Sequence, residues 1–359
     1  MRLTLPTKKK TSTVVGLDIE AGSIAAAEVH VNGVARVTGS GVAPLAPGAF
    51  HDGEVLDSGL LAEALKGLFS DNKLPKQVRL GVGNQRVIVR TMRLPALEDP
   101  KELDAAVRFQ AQEQIPMPLD QAVLEHQVVG GVPAEEGSGP QVDVLVVAAR
   151  RDMIASFVEP IRKAGLQPVG VDLAAFGMIR ALSRQLSAPD AAEGSAQATL
   201  YCSVGDVTNL AVARGASCLF TRISHFGLED IVAGLGQTLG LLPAHAQQWL
   251  GHVGLDRPIS EIDGDSAIVE GVRRSLEDGV TTLVDELRLS LDYYGAQESA
   301  LPVDRIILCG PGSVIPGLAQ QMEAALPLPI VAARPAALEG LDPIVAARLT
   351  LPFGLALES

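Results

Sequence analysis

Val14-Val15-Gly16-Leu17-Asp18-Ile19-Glu20-Ala21-Gly22-Ser23-Ile24-Ala25-Ala26-Ala27-Glu28-Val29 comprises an apolar strand, a short turn and a second apolar strand. The same pattern returns about half-way along the chain, as Thr199-Leu200-Tyr201-Cys202-Ser203-Val204-Gly205-Asp206-Val207-Thr208-Asn209-Leu210-Ala211-Val212-Ala213. Each copy then reaches a glycine turn, Asn32-Gly33 or Arg214-Gly215, and a third strand; Asn-Gly is a strong hairpin signal. Two such units in the two halves of one chain indicate a duplicated fold with a cleft between the halves.

The turns of these two hairpins are rich in glycine, aspartate and hydroxyl residues. Where such turns face each other across a cleft, their backbone N–H groups can cradle phosphate. The alternative is a pair of ordinary antiparallel hairpins. The repeated pattern alone does not choose between the two interpretations.

Composition and charge narrow the class of protein. Of the 359 residues, 47% are hydrophobic and 20% charged, a balance typical of a packed globular protein with more than one core. The net charge of −13 argues against a nucleic-acid-binding protein, which would carry a basic surface. Cys202, Cys218 and Cys309 are odd in number, widely spaced and set in apolar strands, so we expect buried free thiols.

The sequence predicts a cytoplasmic protein with no direct membrane span. Lys8-Lys9-Lys10 imitates the basic start of a signal peptide, but Asp18 and Glu20 interrupt the apolar run that follows. The stretch 231–255 lacks Asp, Glu, Lys and Arg, yet its glutamine, histidine and proline residues are too polar for hydrocarbon. The C-terminal segment 348–357 is interrupted by proline and glycine and makes a poor membrane helix.

Helix and strand signals organise the first half of the chain around an insertion. Asp99 as N-cap, with Pro100 next, predicts a helix that ends at Ile115-Pro116. The strand 86–94 alternates apolar residues with Arg90 and Arg93. This helix and the strands around it form a predicted inserted small domain, residues 76–165. A second predicted long helix, 280–294, carries a leucine stripe in the second half.

Several motifs, taken in order, resemble the actin-like ATPase superfamily and, within it, the PilM family of type IV pilus assembly, on the branch related to the division protein FtsA. The motifs are Gly16-Leu17-Asp18-Ile19, Arg90-x-x-Arg93-Leu94-Pro95, Ile115-Pro116-x-Pro118, Ala164-Gly165-Leu166, Val204-Gly205-x-x-Thr208-Asn209-Leu210, Glu286-Leu287-Arg288-Leu289-Ser290-Leu291-x-Tyr293-Tyr294 and Leu308-Cys309-Gly310-Pro311-Gly312-Ser313-x-x-Pro316-Gly317-Leu318. Any single motif is weak, whereas the ordered set over essentially the whole chain is specific.

The resemblance implies an α/β, actin-like (ribonuclease H-like) duplicated fold with an FtsA-type small domain inserted in the first half. The predicted organisation is a polar tail (1–12), a first core subdomain (13–75 plus 166–188), the inserted domain (76–165), a linker (189–198) and a second half (199–359), the last divided into a core (199–223 plus 303–359) and an outer subdomain (224–302).

The resemblance also implies a nucleotide cleft, a partner and a place in the cell. ATP and Mg²⁺ are the implied cofactors, with Asp18 as the candidate metal residue; a turn or cap carboxylate is the alternative role for Asp18. The implied nucleotide-binding residues are Asp18, Gly22, Ser23, Gly205, Asp206, Thr208, Asn209, Gly310, Gly312 and Ser313. The implied partner is the N-terminal tail of a PilN-like inner-membrane protein, bound beside the inserted domain near Arg90 and Arg93, with other pilus inner-membrane and motor components assembled at the inner face of the cytoplasmic membrane.

The phosphate loops depart from the family pattern. Glu20 and Ala25 stand where the first loop usually has glycine and lysine, Ser203 where the second has aspartate, and Pro311 where the adenosine loop has glycine. A carboxylate about 4 Å from a phosphate charge costs roughly 1 kcal/mol in water and about 4 at an effective dielectric near 20. We therefore predict weak or absent ATP turnover, and the sequence leaves nucleotide binding itself open.

Two classes of function remain after this comparison. The first is a non-enzymatic scaffold with a degenerate nucleotide cleft, in a pilus machine or a related secretion system. The second is a nucleotide-dependent kinase or ATPase on the same fold, for which no intact phosphate loop or catalytic base stands out. A metal site at His245 and His252 is disfavoured because no acidic or cysteine partner lies at ligand spacing.

Overall fold

A computed structural model describes residues 13–132, 139–186, 197–297 and 300–357. The predicted tail 1–12 and all but the end of the predicted linker 189–198 lie outside the described residues. The strands are β1 (Val15–Glu20), β2 (Ser23–Asn32), β3 (Val34–Pro44), β4 (Phe50–His51), β5 (Glu54–Val55), β6 (Gln77–Val82), β7 (Val87–Pro95), β8 (Ala122–Val132), β9 (Gln141–Arg150), β10 (Gln167–Leu173), β11 (Ala198–Val204), β12 (Thr208–Arg214), β13 (Ser217–Ser224), β14 (Val303–Cys309) and β15 (Ile330–Ala332). The α-helices are α1 (Ser58–Asp71), α2 (Pro100–Gln114), α3 (Arg151–Lys163), α4 (Ala174–Leu186), α5 (Leu228–Leu239), α6 (Pro243–Val253), α7 (Ser266–Gly295), α8 (Leu318–Ala325) and α9 (Pro343–Ala356).

Two five-stranded sheets share one connectivity, which confirms the predicted duplication. Their strand orders are β10-β6-β1-β2-β3 and β13-β12-β11-β14-β15. In each sheet the first strand pairs antiparallel with the second and the second antiparallel with the third, while the first pairs parallel with a later strand. The repeated hairpins found in the sequence are thus β1–β2–β3 and β11–β12–β13.

Helices α4 and α9 lie between the two sheets and fill one shared core. That core takes Ala25 from the first sheet, Tyr201 and Ile307 from the second, and the buried faces of both helices. Helix α9 packs very closely on its neighbours, because a side-chain carbon at Gly354 would lie 1.8 Å from the carbonyl oxygen of Gly177 on α4. The C-terminal helix is therefore part of the centre of the molecule.

The inserted unit is smaller than the predicted range of 76–165. Its three-stranded sheet, ordered β7-β9-β8, packs with α2 around a separate apolar cluster. Strand β6 instead pairs with β1 in the first large sheet, and α3 packs Phe157 and Ile161 into the core of that sheet. The insertion therefore spans about β7 to β9, and both flanking elements belong to the first core.

The capping signals in the sequence place α2 correctly, whereas the long helix is longer than predicted. Asp99 accepts a hydrogen bond from the Lys101 N–H at 2.9 Å and starts α2. Helix α7 begins at Ser266, well before the predicted 280. Gly279 lies inside this helix. The absence of a side chain there leaves room for α5, since an added carbon would lie 2.6 Å from the Ile231 side chain. The three cysteines are buried free thiols, as predicted.

Candidate functional site

The turns that end β1, β11 and β14 meet between the two halves. Asp18, Glu20 and Ser23 from the first turn line a small cavity with Ser203 and Gly310 from the other two. An adjoining cavity is lined by Asp18, Glu20, Asp206 and Asn209, among others. The structure thus brings the two repeated hairpin turns together across a cleft.

Each hairpin turn donates backbone N–H groups to a carboxyl group of the other turn. The Gly22 N–H donates to Asp206 Oδ2 at 3.3 Å, and the Ala21 N–H also bonds this carboxyl group. In return, the Asp206 N–H bonds the Glu20 carboxyl group. Glu20 lies directly over Gly205, where an added side-chain carbon would be 2.0 Å from Glu20 Oε1. The two turns are therefore bonded to each other.

Arg348 of helix α9 supplies a positive charge beside the carboxyl groups of the two turns. Its Nη1 lies 3.0 Å from Glu20 Oε2 and also donates to the Ser23 hydroxyl group. Both side chains of the ion pair are mostly buried, with exposed fractions of 13% for Arg348 and 16% for Glu20. Such a pair is held in place by the packing of α9 and is little screened by salt.

Burial changes the acidity of the three carboxyl groups in the cleft. Burial, together with the nearby charge of Asp206, raises the pKa of Asp18 to about 7. Burial, with the charges of Asp206 and Asp18, also raises the pKa of Glu20 well above its usual range, although Arg348 opposes this change. The pKa of Asp206 is raised by burial in the same way. One guanidinium therefore faces three carboxyl groups that do not all ionise readily together.

Two histidine–carboxylate pairs join the outer lips of the cleft. His51 Nδ1 lies 3.1 Å from Glu229 Oε1, and His225 Nδ1 lies 3.0 Å from Asp52 Oδ1. Each pair connects the β4–β5 hairpin of the first half with the second half, at the first turn of α5 for Glu229 and at the loop before α5 for His225. Because both histidines are more than half exposed, each pair contributes little stability by itself.

Not all of the predicted nucleotide-binding residues face the cleft. The hydroxyl group of Thr208 donates to the Phe226 carbonyl at 2.8 Å, and that of Ser313 donates to the Gly310 carbonyl at 2.7 Å. Gly312 packs against Val204, where a side chain would meet Cγ1 at 2.6 Å. These three residues stabilise the turns from within, and their direct role toward a ligand stays a prediction.

The side chains now in the cleft do not fit a triphosphate. The two cavities measure about 10 and 30 Å³, room for one or two waters, whereas small-molecule pockets are on the order of 300–1,000 Å³. Ala25, at the usual lysine position, is buried and offers no cation. Within the described ranges, no three His, Cys, Asp or Glu side chains are grouped to hold a metal ion.

A second candidate site is a groove of about 360 Å³ where the insertion meets both halves. Its walls include Val87 to Arg90 of β7, Leu173 at the end of β10, and Thr221 to Ile223 of β13. Strands β7 and β13 are each at the edge of their sheet and lie beside one another. Gln85 Nε2 donates to the Ile223 carbonyl at 3.1 Å, so one carbonyl of β13 is already bonded.

The two arginines predicted to bind a partner lie on different faces of β7. The strand pairs with β9 without a bulge, so residues at an odd separation face opposite sides. Arg90 lines the groove and donates only to the adjacent Val89 carbonyl, at 3.0 Å, in the described structure. Arg93 does not line the groove, and its Nε donates to Asp143 Oδ1 at 3.0 Å. The lining of the groove thus includes Arg90 and not Arg93, and the role of either arginine in partner binding stays a prediction.

The chain contains two sheets of the same connectivity, with helices between them. The turns at the ends of their strands enclose a cleft. This arrangement defines the actin-like class of α/β protein. A family model described as type IV pilus assembly protein PilM matches residues 16–256. The chain belongs to the PilM family, as its motifs predicted. Among the part of the chain that the structure describes, no helix is long and apolar enough to cross a membrane.

Solved structures agree with this assignment. A PilM–PilN type IV pilus biogenesis complex matches with a TM-score of 0.77 and 25% identity, covering 96% of this chain and 97% of that one. The ethanolamine utilization protein EutJ from Carboxydothermus hydrogenoformans matches with a TM-score of 0.51 and 12% identity, over 95% of this chain and 88% of that one. The second match shows the shared fold alone.

The sequence predicted the turns of the cleft. It did not predict Arg348, which supplies the positive charge beside their carboxyl groups. Arg348 begins the C-terminal segment 348–357, in which the sequence indicates only a poor membrane helix. Its partner Glu20 lies more than 300 residues earlier in the chain, and no local pattern connects the two. A single arginine in an otherwise apolar C-terminal segment was the available signal, because a charge in a buried helix requires a partner.

Proposed function

We propose that this protein is a cytoplasmic scaffold of a type IV pilus machine that binds the N-terminal cytoplasmic tail of a PilN-like inner-membrane protein. The observation that carries the proposal is the whole-length similarity to a PilM–PilN complex. Through this tail the protein would be recruited to the inner face of the cytoplasmic membrane, where other pilus inner-membrane and motor components assemble.

The groove between β7 and β13 is the proposed site for the tail. An extended peptide can add main-chain hydrogen bonds to the free edge of β7, while pockets beside the edge accept alternate side chains. Val87, Val89, Leu173 and Ile223 supply apolar contact area in the groove, and Arg90 supplies a positive charge at its wall. The groove therefore suits an extended, mainly apolar tail that carries one acidic side chain.

Arg90→Ala is expected to weaken tail binding about fivefold, because one partly exposed charge contact contributes on the order of 1 kcal/mol. The measurement is a calorimetric titration with a synthetic peptide of the PilN-like tail. Arg93→Ala is the matched control, since it removes the same side chain from the same strand at a position that does not line the groove. Equal loss of affinity in both variants would contradict the placement of the tail, and an absence of binding to the intact protein would contradict the scaffold itself.

The scaffold role does not require ATP turnover, and we propose that the nucleotide cleft is degenerate. Glu20 and Ala25 replace the glycine and lysine on which a phosphate loop depends, and the carboxyl groups beside them disfavour a polyanion. We expect phosphate release from ATP and Mg²⁺ at well below 1 per second, against about 10 per second for a typical enzyme. A rate near the typical value, abolished in a variant of Asp18, would contradict the proposal.

A further inference from the structure

The nucleotide cleft carries its own substitutes for the charges of a bound nucleotide. Three observations lead to this inference: the bonds between the two turns, the ion pair at Arg348, and the small volume that remains. Each concerns the described residues of the cleft, and none depends on the tail groove.

The first observation is that the N–H groups of the two turns already have acceptors. In phosphate sites of this kind, such N–H groups point at the anion and bind it. Here the Asp206 carboxyl group accepts from Gly22 and Ala21, and the Glu20 carboxyl group accepts from Asp206. A phosphate group could use each of these donors only after the carboxyl group bonded to it had left.

The second observation is the position of the cation. Arg348 Nη1 contacts both Glu20 Oε2 and the Ser23 hydroxyl, so the guanidinium lies against the first turn on the side of Glu20. The carboxyl group of Glu20 is thus bonded to backbone N–H on one side and a cation on the other. Backbone N–H groups and a cation are also the partners of a phosphate group in a phosphate loop.

The third observation is steric. Glu20 Oε1 occupies the space over Gly205, where even one added carbon atom would overlap it at 2.0 Å. The cavity that remains beside Glu20 and Arg348 measures about 10 Å³. A phosphate group and the Glu20 side chain therefore compete for the same place.

We propose that the carboxyl groups of Glu20 and Asp206 occupy the phosphate positions of the cleft, with Arg348 as their counter-ion, so that the two halves close on each other without nucleotide. The inference rests on the proposed degenerate cleft and deepens it. It explains how the two turns can stay in contact across the cleft without a ligand that bridges them.

The first test is a titration of ATP with Mg²⁺, followed by calorimetry and by the shift in melting temperature. The intact protein is expected to show no saturable binding up to millimolar ATP. Glu20→Gly removes the competing carboxyl group and leaves Arg348 free for phosphate, so ATP is expected to bind at least about tenfold more tightly than to the intact protein. In the double variant Glu20→Gly with Arg348→Ala, most of that gain should be lost.

Asp52→Gly is the matched control. It removes one negative charge beside the same cleft and one contact between its lips, and its positive φ of 54° is suited to glycine. We expect less than about a twofold change in ATP affinity. An equal gain in ATP affinity in this control would mean that loss of any negative charge or of any contact across the cleft is sufficient, and would contradict the specific role of Glu20. No gain in ATP affinity in Glu20→Gly would overturn the proposal.

The second test needs no nucleotide. Hydrogen exchange of the intact protein should show slow exchange at Gly22 and Asp206, and Asp206→Ala should speed exchange at Gly22 by about tenfold or more while distant strands stay unchanged. Fast exchange at both positions in the intact protein would contradict the inference. These outcomes are separate from those of the proposed function, since neither tail binding nor ATP turnover is measured.

Discussion

Gly354→Ala is expected to lower the free energy of unfolding by about 3 kcal/mol or more. Its side-chain carbon would lie 1.8 Å from the Gly177 carbonyl oxygen and 3.0 Å from Ala181 Cβ, both on α4. Overpacking of a core usually costs about 1–3 kcal/mol, and here the obstacle is backbone that no rotamer change can move. The helices must separate, and the Arg180 hydrogen bond to the Gly354 carbonyl, now 3.0 Å, is strained with them.

The effect of Gly354→Ala should reach the cleft, because α9 also carries Arg348. We expect a lower urea midpoint, together with faster hydrogen exchange at the β1–β2 turn. Gly67→Ala on α1 is the control: nothing lies within 4 Å of the added carbon, so this variant should gain about 0.5–1 kcal/mol. A Gly354→Ala protein as stable as the parent would show that α9 does not pack as described.

The fold was predictable because its signals are local and occur twice. Apolar strands separated by a glycine turn specify a hairpin through backbone geometry alone, and the repetition of the hairpin indicated the duplication. Asp99 and Pro100 marked the start of α2 in the same local way. Residues that act through their nearest neighbours along the chain can thus be interpreted from sequence.

The boundaries of the insertion and of α7 were not predictable, because they depend on distant partners. The sequence predicts β6 and β7 as two successive strands, without indicating which sheet each one joins. The pairing of β6 with β1 assigns it to the first core. Glycine has a low helix propensity, so Gly279 favoured a helix boundary near 280. It lies inside α7 instead, where the absence of a side chain leaves room for Ile231. In both cases tertiary packing outweighs the local preference.

In the cleft, too, features of one short segment were predictable, and contacts between distant segments were not. The substitution of Glu20 for a glycine was visible in the sequence and predicted a damaged phosphate loop. The sequence did not show that this carboxyl group bonds the other turn and pairs with Arg348, since the three segments are distant along the chain. The chemical type of the change was therefore predictable, and its structural role was not.

Asp18→Asn is expected to stabilise the protein at pH 8 and to reduce the dependence of its stability on pH. The folded-state pKa of Asp18 is raised from 3.8 to about 7, so between these values the folded protein binds more protons than the unfolded chain. The free energy of unfolding must then fall as pH rises through this window. A shift of roughly three units corresponds to at most about 4 kcal/mol, and sharing of protons with Glu20 and Asp206 reduces it.

The measurement is urea unfolding between pH 5 and pH 8, where the intact protein should be more stable at pH 5. Asparagine keeps the shape of Asp18 and cannot ionise, so the variant should gain on the order of 2 kcal/mol at pH 8 and less than about half of that at pH 5. Glu63→Gln, an exposed position on α1, is the control for a change of net charge and should leave the slope as it is. An intact protein whose stability rises from pH 5 to pH 8 would contradict the buried, uncompensated state of Asp18. If Asp18→Asn lost stability at pH 8, the ionised carboxylate itself would be a favourable partner in the cleft, and the cost assigned to its burial would be wrong.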